Sequence, residues 1–176
     1  MPIDLSCGCC TVRSWRADDG PALVRHANHR EVWLNLRDRF PHPYTLADAE
    51  AYLQRVVGTT TETSFALDVA GGAVGGISLM LGHDIERGSA EVGYWLGPEY
   101  WGRGIMTAAV RAVVEYGLDR LGLIRIFAVP LVRNPASFHV LEKAGFTREG
   151  LMRRSAIKDG VIEDQFLYAI VRGPDL

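Results

Sequence analysis

The sequence predicts an α/β domain of the mixed α+β kind, with a central mixed sheet of about six to seven strands and helices on both faces. Three observations predict it. Hydrophobic spacing switches between period 2 and period 3.6 along the chain. The strand-like runs come as three in succession mid-chain and a pair at the end, giving the order β, α, α, β, β, β, α, β, α, β, β. That order is not the strict βα alternation of a doubly wound dinucleotide fold. At 176 residues the chain is expected to be one domain, 1–176, able to bury a proper core.

The first strand is expected within residues 9–16, where Val12 and Trp15 stand among polar neighbours. Asp18 or Asp19 then offers an N-cap and Pro21 tolerates an early helical position, with Ala22, Leu23, Val24 and Ala27 as the apolar stripe. A short helical piece at 31–36 and a proline-containing loop at 39–44 follow. Thr45-Leu46-Ala47-Asp48 reads as a capping box with Asp for the usual Glu, opening a helix through Ala49, Tyr52, Leu53, Val56 and Val57. Strands at 64–69 and 74–81 flank Ala70-Gly71-Gly72, a hairpin signal, and a loop at 82–88 leads to a strand at 89–96. A glycine turn then opens a helix whose Met106, Ala109, Val110, Val113, Gly117 and Leu121 share a face. The run 124–129 reads as a strand buried on both sides. Asn134-Pro135 starts a helix that Gly145 stops. Two final strands, 147–156 and 161–171, flank the turn Lys158-Asp159-Gly160.

Charge excludes some functions. With 19 basic against 21 acidic side chains, net charge is -2, which gives no electrostatic case for a nucleic acid or an anionic membrane as partner. No apolar run reaches a membrane span, and no basic-then-apolar leader precedes the domain, so a cytoplasmic protein is expected. Cys7, Cys9 and Cys10 have no second ligand cluster at zinc spacing, so no metal is expected and they read as reduced thiols near the first strand. His26, His29, His42, His83 and His139 likewise lack ligand spacing and are expected on surfaces or loops.

The informative stretch is Tyr100-Trp101-Gly102-Arg103-Gly104-Ile105-Met106-Thr107, lying between the strand Glu91-Val92-Gly93-Tyr94-Trp95-Leu96-Gly97-Pro98 and a helix. Such a turn presents unpaired N–H groups at the positive end of a helix dipole, an arrangement that binds phosphate or pyrophosphate. Gly102 and Gly104 leave the backbone bare for close approach, and Arg103 adds a cation at the edge. There is no Gly-x-x-x-x-Gly-Lys-Ser/Thr loop, so a nucleotide phosphotransferase is excluded.

Together with Asn134-Pro135-Ala136-Ser137-Phe138-His139-Val140-Leu141-Glu142-Lys143-Ala144-Gly145-Phe146, these blocks resemble the GNAT superfamily of acyl-CoA-dependent N-acetyltransferases. The family's loop usually has Arg or Gln, two residues, Gly, one residue, then Gly or Ala. Here Trp101, Gly104 and Met106 hold those places, which is similar to the branch that acetylates N-termini of ribosomal proteins.

The resemblance implies a splayed sheet and direct acetyl transfer from acetyl-CoA to a primary amine, a protein N-terminus or a small molecule. It implies a cofactor site of Tyr94, Trp95 and Leu96 (through main-chain groups pairing with pantetheine), Trp101, Gly102, Arg103, Gly104, Ile105, Met106, Thr107, Asn134 and Ser137. Glu91 is the candidate base that deprotonates the amine, or else an ion-pair partner on a strand. The tyrosine that many members use as acid is replaced here by Leu141. Ser137 is then the available hydroxyl for the leaving sulfur, or else a local helix-end hydrogen-bonder. Trp33, Phe40, Tyr44 and Arg153 are candidates for shaping the acceptor pocket. A non-catalytic CoA-binding sensor or scaffold is the alternative, and monomer and homodimer both fit.

Overall fold

A computed structural model describes residues 3–173, so both ends of the expected 1–176 domain lie outside the described residues. Eight strands form one sheet: β1 (Asp4–Ser6), β2 (Thr11–Ser14), β3 (Ser64–Val69), β4 (Gly72–Leu81), β5 (Ser89–Leu96), β6 (Arg125–Ala128), β7 (Thr147–Lys158) and β8 (Val161–Val171). Their spatial order is β1-β2-β3-β4-β5-β6-β8-β7. Among the described residues, only β5 and β6 run parallel. The mixed sheet is as expected, but it has one strand more than the six to seven read from the pattern. The additional strand is β1, three residues at the sheet edge, too short to display an alternation. Two bounds also move outward, since β4 begins at Gly72 and β7 runs on to Lys158.

Alternation along the central strands divides the core between two faces. Phe65, Leu67 and Val74 point to the face covered by α4 (Ile105–Asp119) and α5 (Pro135–Lys143), where Ala109, Val110, Val113 and Leu141 are fully or almost fully buried. Ala66 and Ala73 point the other way, joining Trp15 and Trp95 against α1 (Gly20–Ala27) and α3 (Leu46–Val56). A short α2 (Arg30–Trp33) follows α1.

The capping box at the start of α3 forms as read: Thr45 Oγ1 accepts from the Asp48 N–H at 3.2 Å, and the Thr45 N–H donates to Asp48 Oδ2 at 2.8 Å. Asp19 behaves differently. It precedes α1, but its carboxylate accepts from Arg13 Nη1 and Nη2, both at 2.8 Å, rather than capping the helix. Arg13 also donates to Asp68 at 2.7 Å, so a buried ionic triad ties β2, the entry to α1 and β3 together. His26 departs from the surface placement expected of the histidines. It lies on the inner face of α1, buried against Gly97 and the ring of Tyr100.

The sheet opens between its parallel strands. Pairing of β5 with β6 stops at Glu91↔Phe127, while β5 continues five residues further, paired only with β4. The resulting wedge is where the fold leaves main chain uncovered.

Candidate active site

The turn at 101–104 carries the chain from β5 into α4. Gly102 and Gly104 have φ of 74° and 76°, left-handed values that cost other residues about 1–2 kcal/mol. A Cβ at either would meet nothing within 4 Å, so the space above the turn is open. Among the described residues, none of the N–H groups from Gly102 to Thr107 meets a backbone acceptor. Six donors therefore converge at the positive end of a 15-residue helix. Trp101 anchors this turn, its indole N–H donating to the Leu96 carbonyl at 2.8 Å.

A cavity of about 390 Å³ lies over the turn. It is lined by Tyr94, Trp95, Leu96, residues 101–107, Asn134 and Ser137, so the structure brings together every residue expected to hold the cofactor. The same cavity takes in Ala136, His139, Val140 and Lys143, which the sequence reading passed over. Their i, i+3, i+4, i+7 spacing on α5 was the available signal. The open turn, its free donors and the nearby Arg103 and Lys143 fit the diphosphate of coenzyme A.

One part of the expected main-chain pairing needs correction. The Gly97 N–H donates to Val74 on β4 at 2.9 Å, and a Cβ on Gly75 would sit 2.6 Å from the Trp95 carbonyl oxygen. Odd-numbered residues of β5 therefore turn their backbone groups toward β4, and alternation points those of Tyr94 and Leu96 into the wedge. Trp95 lines the cavity without offering it a free main-chain edge. The Leu96 carbonyl is also taken, by Trp101.

A second cavity, about 1400 Å³, adjoins the first and contains Glu91. Tyr94, Trp95 and Ser137 line both cavities, so the two meet at the wedge. By strand alternation the Glu91 and Tyr94 side chains leave opposite faces of β5. Arg37 Nη2 contacts both Glu91 carboxylate oxygens, at 2.6 and 2.5 Å, so the ion-pair reading of Glu91 holds in the structure. No short-range pattern in sequence connects two residues 54 apart. Phe40 and Tyr44 line this second cavity as expected. Trp33 and Arg153 do not: Trp33 stacks on His42 beneath the Lys158 ammonium, and Arg153 is exposed on β7.

Ser137 stands in the first turn of α5, where Asn134 Oδ1 accepts from its N–H at 3.3 Å. Its hydroxyl does not fold back on the helix end. It lies 3.0 Å from the Tyr94 hydroxyl, which donates its proton to the Ser137 carbonyl oxygen at 3.1 Å. Burial pushes the Tyr94 phenol up, so it keeps the proton that it donates there. Leu141 is fully buried on the inner face of α5.

Residues 10–147 match the model of the acetyltransferase (GNAT) domain. The chain belongs to the GNAT acetyltransferase family. It is 43% identical over 105 residues to the probable N-acetyltransferase YjcK of Bacillus subtilis, covering 58% of this GNAT chain and 56% of the relative. It is 35% identical over 102 residues to the putative ribosomal N-acetyltransferase YdaF of the same organism, covering 58% and 55%. The chain thus spans about half the length of these curated relatives. In three dimensions it is similar to RimL, a ribosomal L7/L12 alpha-N-protein acetyltransferase solved with coenzyme A, with TM-score 0.83, 21% identity, and 97% and 98% of the two chains covered. Identity that low shows the shared fold.

Proposed function

We propose that this GNAT chain transfers acetyl from acetyl-CoA directly to a primary amine. The observation that carries the reading is the pair of cavities meeting at the β5 wedge, one floored by six free N–H donors and the other containing a carboxylate. Acetyl-CoA, when bound, supplies an acetyl group activated as a thioester. The turn at 102–107, with Arg103 and Lys143, holds its diphosphate, and the Tyr94 and Leu96 main chain lines up its pantetheine arm. A main-chain N–H there can polarise the thioester carbonyl, a contribution of about 2–4 kcal/mol per donor. Glu91 takes the proton from the attacking amine, directly or through water. Ser137 donates a hydrogen bond to the leaving sulfur.

We further propose a peptide or protein N-terminus as acceptor. The acceptor cavity is far larger than a small amine needs, and the similarity to YdaF supports the same class. An amine panel with alanine- and serine-initiated peptides, polyamines and aminoglycosides, read by release of the CoA thiol, tests both statements. Preference for the peptides is expected. Turnover of small amines alone overturns the acceptor class, and failure of every amine in the panel to release thiol leaves the alternative of a CoA-binding sensor.

A further inference from the structure

We propose that the larger cavity selects peptide N-termini with acidic side chains at their second to fourth positions, read by Arg39 and Arg55. The inference rests on this cavity being the acceptor site, and it narrows the acceptor from any peptide to an acidic one.

Strand register lays a track across the cavity wall. Glu91 on β5 is paired with Met80 on β4, Ser78 lies two residues before Met80, and Ser78 is paired with Ser64 on β3. All four line the cavity. Directly opposed residues, and residues two apart on one strand, share a face of the sheet. Ser64 is two residues from Ala66, so the shared face is the one that carries α1 and α3. Two strand spacings of about 4.8 Å and one two-residue step of about 6.7 Å make the track about 12 Å long. An extended peptide advances about 3.3 Å per residue, so with its amine at Glu91 it covers the track in about four residues.

Charge along this wall is not balanced. Arg37 is paired with Glu91, and Lys158 donates to Asp38 at 2.8 Å. Asp48 is held by Thr45, whose N–H and hydroxyl both donate to it. Two guanidiniums remain. Arg39 rests on the sulfur of Met80, a weak acceptor that neutralises no charge, and so stands beside the partner of Glu91. Arg55 stands on α3 one turn after Tyr52, whose hydroxyl lies 2.6 Å from Ser64 Oγ at the far end of the track. Burial pushes the Tyr52 phenol up and both arginines pull against it, which sets both charges over the same stretch of wall. Among the described residues, neither arginine is within ion-pair distance of a carboxylate. A polyamine brings only more positive charge to these two groups. A carboxylate side chain brings the complement, in a shape that the guanidinium fork accepts through two hydrogen bonds. A small acidic amine anchored at Glu91 is too short to reach Arg55, whereas a peptide passes both.

The test compares kcat/KM, read by CoA thiol release at saturating acetyl-CoA, for three serine-initiated peptides. They differ only at positions two to four, which are acidic, glycine or lysine. In wild type the acidic peptide should exceed the glycine peptide by about tenfold, the size of one charge-assisted pair, with the lysine peptide lowest. Added salt should narrow the spread. In Arg39→Gln/Arg55→Gln the ratio of acidic to glycine peptide should approach one. In Arg39→Glu/Arg55→Glu the lysine peptide should overtake the acidic one, an inversion that a structural role alone would not produce. Equal rates for the three peptides in wild type, or a ranking that survives charge reversal, overturns the inference and leaves the transferase reading standing. Turnover of spermidine or free glutamate in place of every peptide overturns the inference and the peptide acceptor together. Absence of thiol release with any of these amines overturns the transferase reading as well.

Discussion

At the scale of single residues, Glu91 is paired with Arg37, and in the reaction proposed above it would also serve the amine. A double-mutant comparison separates these roles. If Glu91 is only the partner of Arg37, Arg37→Ala and Glu91→Gln should cost turnover equally. As the base, Glu91→Gln should cost about 10²–10⁴-fold in kcat while Arg37→Ala costs far less, with acetyl-CoA affinity unchanged in both. Equal losses in steady-state assays would remove Glu91 from proton transfer.

His26 makes a different prediction, about stability. Its Nδ1 is 3.1 Å from Glu99, which favours the charged ring, but burial opposes it more strongly and lowers its pKa, with Arg25 and His29 adding repulsion. The unfolded chain therefore binds this proton more readily than the folded one. Stability from this group is present above the unfolded value, about 6.5, and is lost as pH falls below it. His26→Leu should flatten the fall in denaturation midpoint between about pH 7 and pH 5 relative to wild type. An identical fall in both proteins would show that His26 is not the linked group.

At the scale of elements, the turn between β5 and α4 separates folding from binding. Gly104→Ala strains one left-handed residue by about 1–2 kcal/mol. Its Cβ touches nothing in the protein, yet it stands on the surface that the diphosphate would approach in the proposed site. Calorimetry should therefore show a loss of coenzyme A affinity larger than the loss of thermal stability implies. Equal losses would mean that the glycine serves only the turn. This turn was legible in sequence because all of its signals are local: a strand, a Gly-Pro stop, two glycines and a helical stripe. The capping box of α3 and the Asn134 cap of α5 were legible for the same reason. What escaped reading depends on tertiary contact. β1 exists only because β2 pairs with it, and Asp19 is drawn from its cap by Arg13. The Arg37–Glu91 pair and the inward turn of His26 likewise join segments that sequence spacing does not connect.

At the scale of the whole molecule, the parallel step from β5 to β6 organises the site. Because pairing ends at Glu91, the sheet offers two adjoining openings that share Asn35, Leu36, Tyr94, Trp95 and Ser137. In the proposed reaction both substrates are bound at once, which removes the need for a covalent acetyl-enzyme. Distance along the sequence does not exclude a cysteine carrier, since Cys10 Sγ lies 3.9 Å from the carbonyl of Ile105 at the first turn of α4. The better argument is access: Cys7, Cys9 and Cys10 line neither cavity, and Cys10 is buried beneath the helix. Initial-rate plots with both substrates varied should intersect, as for a ternary complex. A variant combining Cys7→Ser, Cys9→Ser and Cys10→Ala should keep kcat within about twofold, as expected for changes outside a site. Parallel lines, together with an acetyl group trapped on one of the three thiols, would reverse the order of events and place a carrier behind α4.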